Sequence, residues 1–278
     1  MKIFRKHLVK IPFLTFVSLF LMMPSISSAE TFDHEHGGWN LLLKEYVRWN
    51  PDHTASKVDY GQFKRNPVPL DQYLEKLSAV SRAEFNSFSR NQQLAFLINA
   101  YNAFTVKLIL TKYPDLKSIK ELGSFFSSPW KKKFFRLLGE SQSLDGIEHG
   151  LIRGSGLYNE PLIHFAVNCA SIGCPALLDE AYVAEKLDQQ LLESTRSFLT
   201  DRSRNRFNAD AGTLEVSSIF DWYAEDFAKS WRGYDSLQDF FRIHVDWITD
   251  NPVDARRLLA GPLKIEFLDY DWKLNVLQ

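Results

Sequence analysis

The stretch from Ser89 to Tyr113 constrains the rest of the chain most. Leu94, Leu97, Ile98, Tyr101, Thr105, Leu108 and Ile109 recur at helical spacing, and so broad a stripe predicts a long helix buried over much of its circumference. Ser89 is placed to cap it, and Pro114 to end it. The other elements must then wrap around it. Asn99 and Asn102 fall inside this helix, where asparagine is a poor residue and a buried carboxamide left unpaired costs about 1–3 kcal/mol. The NAYN stretch, Asn99 to Asn102, is therefore expected to have a polar role, either bonding neighbouring backbone or serving a site together with Tyr101.

Shorter patterns surround it. Trp39, Leu42, Leu43, Tyr46 and Val47 predict an amphipathic first helix, and Lys57 to Tyr60 a short extended piece. Leu74, Leu77 and Val80 predict a second helix, and Leu187, Leu191, Thr195 and Phe198 a later one. Trp130 to Phe135, WKKKFF, reads as a surface helix whose lysines reach water while its aromatics bury. Thr213–Ser217 and Leu263–Phe267 alternate as strands. Ser218–Phe227 and Ser236–Ile248 read as helical. Strands and helices of unequal length in no regular alternation predict an α+β fold, a helix-rich single domain around a small, mainly antiparallel sheet.

The N-terminus carries a different message. Lys2, Arg5, Lys6 and Lys10 precede an apolar run from Ile11 to Met23, and Ser27-Ser28-Ala29 offers a small-residue cleavage site. This is the pattern of a secretory signal, cleaved after Ala29, with residues 30–278 forming the mature domain in the periplasm or outside the cell. No later stretch is read as a membrane span, so stable insertion after cleavage is not expected. Removing the signal takes four of the 33 basic residues and none of the 34 acidic ones, which leaves a net charge of −5. That balance disfavours nucleic acid as a partner. His34 and His36 flank Glu35, but two imidazoles fall short of the three or four ligands a metal needs; they are expected on a solvated N-terminal arm, with no metal and no cofactor.

Candidate chemistry concentrates in Ile163–Leu177, IHFAVNCASIGCPAL, which holds the chain's two cysteines, Cys169 and Cys174. Ile163, Phe165 and Val167 alternate with His164, Ala166 and Asn168, predicting a half-buried strand that ends at the Gly173–Pro175 turn. Upstream, Ser143 is placed to cap a helix bearing Asp145, Glu148, His149 and Arg153, with Asp145 and His149 four apart on one face. In an oxidising compartment, two cysteines so close are expected to form a disulfide that fixes the turn.

Five ordered motifs carry a family resemblance: AFLINAYNA (Ala95–Ala103), LDGIEHGLIR (Leu144–Arg153), IHFAVNCASIGCPAL, SSIFDWYAEDF (Ser217–Phe227) and FLDYDWKLN (Phe267–Asn275). The chain resembles a bacterial exported member of the family called domain of unknown function 547, a name that implies no activity. Plant relatives are similar at Cys169 and often carry serine where this chain has Cys174, which implies that Cys169 is the more functional of the pair.

Two readings follow. In the first, the disulfide-locked turn lies beside a polar cleft lined by Asn99, Tyr101, Asn168 and Ser171, and the protein is a binding module for an envelope ligand. In the second, Cys169 is a nucleophile for acyl transfer or amide hydrolysis on a peptide-like substrate. His149 or His164 would be its base, with Asn99, Asn102 or Asp145 orienting the imidazole. Asn168 or the backbone amides of the Cys169–Gly173 turn would supply the oxyanion donors. This would be a papain- or transglutaminase-like fold in permuted order, since both histidines precede Cys169.

Overall fold

The computed structural model describes residues 1–2, 31–124 and 127–277. The chain divides into Met1–Thr31 and a compact unit, Phe32–Gln278. The signal-like segment lies almost entirely outside the described residues.

The compact unit opens with α1 (Gly37–Tyr46), the hairpin of β1 (Val47–Trp49) and β2 (Ser56–Val58), and the helices α2 (Tyr60–Arg65), α3 (Val68–Ala79) and α4 (Arg82–Ser87). The central helix α5 (Arg90–Leu110) follows, then a second hairpin of β3 (Phe135–Leu137) and β4 (Glu140–Gln142). A π-helical turn (Gly146–Ile152) and a 3₁₀ turn (Pro161–Phe165) lead to α6 (Leu187–Leu199). The last part holds β5 (Arg206–Asn208), β6 (Thr213–Ser217), the short helices α7 (Ile219–Trp222), α8 (Leu237–Ile243), α9 (Val245–Ile248) and α10 (Pro252–Leu259), and β7 (Lys264–Leu268). β6 pairs antiparallel with β5 and parallel with β7, giving an α+β domain whose sheets are small and mainly antiparallel.

α5 is the axis of the fold. Ser89 Oγ accepts from Gln92 N while the Gln92 side chain accepts from Ser89 N, a reciprocal capping box contributing about 1 kcal/mol. Every residue from Gln93 to Val106 is buried. In length and apolarity α5 would suffice to cross a membrane, contrary to the expectation that no later stretch does, but 89% of its most apolar window lies inside the domain. Its two asparagines bind the chain wrapped around it. Asn99 donates to Tyr182 O (2.7 Å) and accepts from Tyr182 N (3.0 Å), and Asn102 donates to Ala166 O (2.9 Å) and accepts from Asn168 N (2.8 Å). A second apolar layer forms where Phe165 packs with Phe198, Phe220, Phe227 and Phe240 at centroid distances from 5.4 to 6.1 Å.

Three local expectations are corrected. Ile163–Val167 is not a strand: Pro161 starts a 3₁₀ turn, and the segment is buried on every side, so its alternation reflects no exposed face. Trp130–Phe135 is not a surface helix but a 3₁₀ turn (Pro129–Lys131) running into β3, where Phe135 stacks on Phe104 at 3.7 Å. His34 and His36 are not on a solvated arm. Phe32 packs edge-on against His36 and Phe96, His34 against Phe88, and buried His36 pairs its Nδ1 with the Tyr73 hydroxyl at 2.7 Å.

Candidate functional site

The C-terminal segment builds one wall of the site by running beside the cysteine loop. Ile172 N donates to Lys273 O, Gly173 N to Asp271 O and Asn275 N to Ala170 O. This brings Tyr270 and Trp272 over the loop. Gly173 is required here, because a Cβ would sit 2.9 Å from the Tyr270 ring. Inside the loop, Cys169 and Cys174 form a disulfide with Cα atoms 6.1 Å apart, within the range such a bond spans without backbone movement. The Tyr270 hydroxyl lies 3.1 Å from each sulfur. Ala170 holds the left-handed conformation (φ 64°), stabilised by its amide's bond to Asn168 Oδ1.

Between this wall and the π-helical turn lies a cleft of about 220 Å³. Ser143 Oγ accepts from Gly146 N and starts the turn, although the wider π-helical pitch replaces the regular helix that the spacing suggested. The turn delivers Glu148 and His149 to the cleft, and Asp145 at its start also faces it. Glu148 is buried and accepts from the Tyr223 hydroxyl at 2.6 Å. Burial, and secondarily the Glu148 charge, push the Tyr101 and Tyr223 phenols far above their usual range.

His164 enters from the 3₁₀ turn, its ring stacked on Tyr223 at 3.7 Å. Its Nε2 is 2.8 Å from Asp226 Oδ2. Burial lowers its pKa despite the opposing pull of Asp226 and Glu148, so the ring is held neutral, donating from Nε2. Nδ1 is then a bare acceptor, buried and without a partner among the described residues. Burial alone would raise the Asp226 carboxyl. Hydrogen bonds from His164, Arg153 (2.5 Å) and Lys229 (2.7 Å) outweigh it and hold the group well below the usual carboxylate range. Arg153 also donates to His149 Nδ1 at 2.7 Å, which leaves the His149 proton on Nε2, 3.8 Å from Asp145.

Of the residues singled out in the sequence, Tyr101, His149, His164 and Cys169 meet at this cleft, with Cys174 beside them. Asn99, Asn102, Asn168 and Ser171 do not line it. The first two clamp backbone, Asn168 Nδ2 donates to Pro175 O, and buried Ser171 pairs with Leu274. Asp226 orients His164, in place of the asparagines or Asp145. Of the expected oxyanion donors, Asn168 Nδ2 and four of the five loop amides are engaged elsewhere: the amide of Cys169 by Cys174 Sγ, of Ala170 by Asn168, and of Ile172 and Gly173 by the C-terminal segment. Sequence reasoning also passed over Glu148, Tyr223, Trp222, Tyr270 and Trp272. Their motifs were visible, but an aromatic-rich helix start or a terminal DYDW reads as ordinary packing until the chain closes on itself.

Comparison with protein-family models matches residues 85–199 to "Protein of unknown function, DUF547". That segment supplies the π-helical turn and the cysteine loop, while Trp222, Tyr223, Asp226, Tyr270 and Trp272 lie beyond it. No curated protein and no solved structure matches the chain.

Proposed function

We propose that this protein, whose residues 85–199 match a family model with no assigned activity, is an exported binding module whose ligand seats in the Glu148 cleft. The observation that carries the reading is the pairing of the two sulfurs. Cys169 and Cys174 are bonded to each other in the cleft wall, which leaves no thiolate to act as nucleophile. The four engaged amides of the loop point the same way. At about 220 Å³ the cleft is smaller than the roughly 300–1,000 Å³ of a pocket that swallows a whole small molecule, so it receives one side chain or ring of a larger envelope ligand, a peptide-like one included. Export is supported by the signal-like start at Met1–Ala29 and by the disulfide, which suits an oxidising compartment. The test is a fragment screen by tryptophan fluorescence on the oxidised protein, using short peptides and glycan fragments, with Trp222→Leu as control. Saturable quenching that the control loses supports the module; quenching by none of the fragments counts against it.

A second reading rests on one specific observation. Asp226, His164 and a bare imidazole nitrogen reproduce the orienter and base of a thiol triad, in the cleft that Cys169 also lines. Once reduced, Cys169 would be the nucleophile for acyl transfer or amide hydrolysis. A thiol-directed activity probe on reduced protein decides it. Labelling lost in Cys169→Ala and His164→Gln but kept in Cys174→Ala supports the enzyme; equal labelling of both cysteine variants removes it.

A further inference from the structure

We infer that the group the cleft receives is an alkylammonium: the side chain of a lysine in a peptide, or the end of a free diamine. The inference rests on the binding reading above and names its ligand class. Three observations converge on it. The first is charge. Among the described residues the lining contributes two carboxylates, Asp145 and Glu148, and no lysine or arginine. Glu148 is the deeper, 5% exposed, and accepts from the Tyr223 hydroxyl. A carboxylate has about four lone-pair sites, so roughly three remain for an incoming donor.

The second observation is the wall. Trp222, Tyr270 and Trp272 form one aromatic surface, with Trp222 stacked 5.6 Å from Trp272 and Tyr270 4.4 Å from Trp272. Trp130, which also lines the cleft, extends this surface edge-on, 5.8 Å from Trp272. Rings arranged around a small volume with a carboxylate beneath them recognise cations through their faces, and the attraction strengthens as water is excluded. The chain already uses this surface in that way: Lys120 Nζ lies 3.7 Å from the centroid of the Trp272 ring.

The third is Nδ1 of His164, a buried acceptor on a cleft-lining side chain that has no donor among the described residues. An ammonium carries three donors and no acceptor. Glu148 and His164 Nδ1 are the acceptors offered to it, while the aromatic faces cover the alkyl stem. A neutral sugar ring would find the same walls but would leave its own acceptors facing two carboxylates. A carboxylate or phosphate ligand would meet like charge. The volume agrees, since about 220 Å³ holds a lysine side chain but not the peptide that bears it.

The experiment titrates the oxidised, mature-length protein with Nα-acetyl-lysine methylamide, with cadaverine, and with the uncharged isostere Nα-acetyl-norleucine methylamide, following tryptophan emission at low and at 0.5 M salt. At least tenfold weaker binding of the norleucine probe is expected, and several-fold weakening of both amines by salt. The two amines separate the sources, because tighter binding of the lysine probe assigns a peptide ligand and tighter binding of cadaverine a free diamine. Glu148→Gln should lower amine affinity at least tenfold. Because Glu148 is buried, Asp145→Asn and Trp222→Leu, at positions that are part-exposed, serve as second variants expected to cost several-fold. Equal binding of the amine and norleucine probes, or amine affinity unchanged in all three variants, overturns the assignment. If neutral peptides or glycans bind the cleft while amines do not, the ligand class fails and the binding module stands. If no probe or fragment moves the emission, both fail.

Discussion

Asn102→Ala should be among the most damaging single changes in the chain, although that residue does not line the cleft. Its amide closes two buried hydrogen bonds, to Ala166 O at 2.9 Å and from Asn168 N at 2.8 Å, and thereby fixes the backbone entering the cysteine loop. Truncation leaves a carbonyl and an amide unpaired beside a helix whose flanks are wholly buried. At about 1–3 kcal/mol for each stranded group the gross cost is about 2–6 kcal/mol, and a water entering the vacated space would return part of it. We expect a net loss of about 3 kcal/mol, a large fraction of the roughly 5–15 kcal/mol by which a domain is held folded. Asn99→Ala removes the equivalent clamp on Tyr182 and should cost about the same, since it too strands two backbone groups. The two variants should differ in where the effect appears. Only Asn102→Ala loosens the segment carrying His164 and Cys169, so only it should alter Trp222 emission and accelerate reduction of the disulfide under native conditions. Urea unfolding gives the magnitude, and timed reduction with alkylation gives the location. A loss below about 1 kcal/mol, or identical reduction rates in the two variants, would refute the clamp.

Further outcomes are expected from the same geometry. Gly173→Ala drives a methyl into the Tyr270 ring, which should cost about 1–3 kcal/mol and shift Trp222 emission as Tyr270 is displaced; an unchanged melting temperature and spectrum would contradict this. Reducing the Cys169–Cys174 bond opens a loop of sequence separation 5, for which chain entropy supplies only about 2 kcal/mol, so the protein should stay folded with a modestly lower melting temperature; unfolding on reduction at room temperature would show that estimate to be too small. Stability should fall in mild acid. Burial lowers the His36 pKa to about 3, and burial with the Arg232 charge lowers that of His244 to about 4, while burial also lowers His164. The unfolded chain, titrating near 6.5, therefore takes up these protons first. The contribution is fully present above that pH and is lost on descending towards the folded values, by about 2 kcal/mol at pH 5 for His36 alone. Urea unfolding at pH 7 and pH 5 measures it, and equal stabilities would remove the assignment.

What could be read from the sequence depended on how local its cause was. α5 was legible with its cap because Ser89, Gln92 and an apolar stripe act within a few turns, and β6 and β7 because their residue types alternate within five positions, although β6 is buried at four of its five residues and β7 is largely exposed. Ile163–Val167 misled because a period of two also arises where a buried segment places apolar and polar residues by turns against different neighbours. Asn99 and Asn102 were rightly marked as polar groups needing partners, but a sequence does not say whether the partner is backbone or ligand. The cleft itself was half legible. His149, His164 and Cys169 stood out as reactive types, whereas Asp226 and Tyr270 lie 62 and 101 positions from the residues they touch, and only the closed chain brings them together.

The measurement that bears most directly on the account is an intact-mass count of iodoacetamide adducts on the very sample used for the ligand titration. The account predicts saturable amine binding by protein carrying no adduct before reduction and two after it, so that the cleft works with its sulfurs joined. Binding or turnover that appears only after reduction, accompanied by an adduct on Cys169, would contradict it and establish the thiol as the working group.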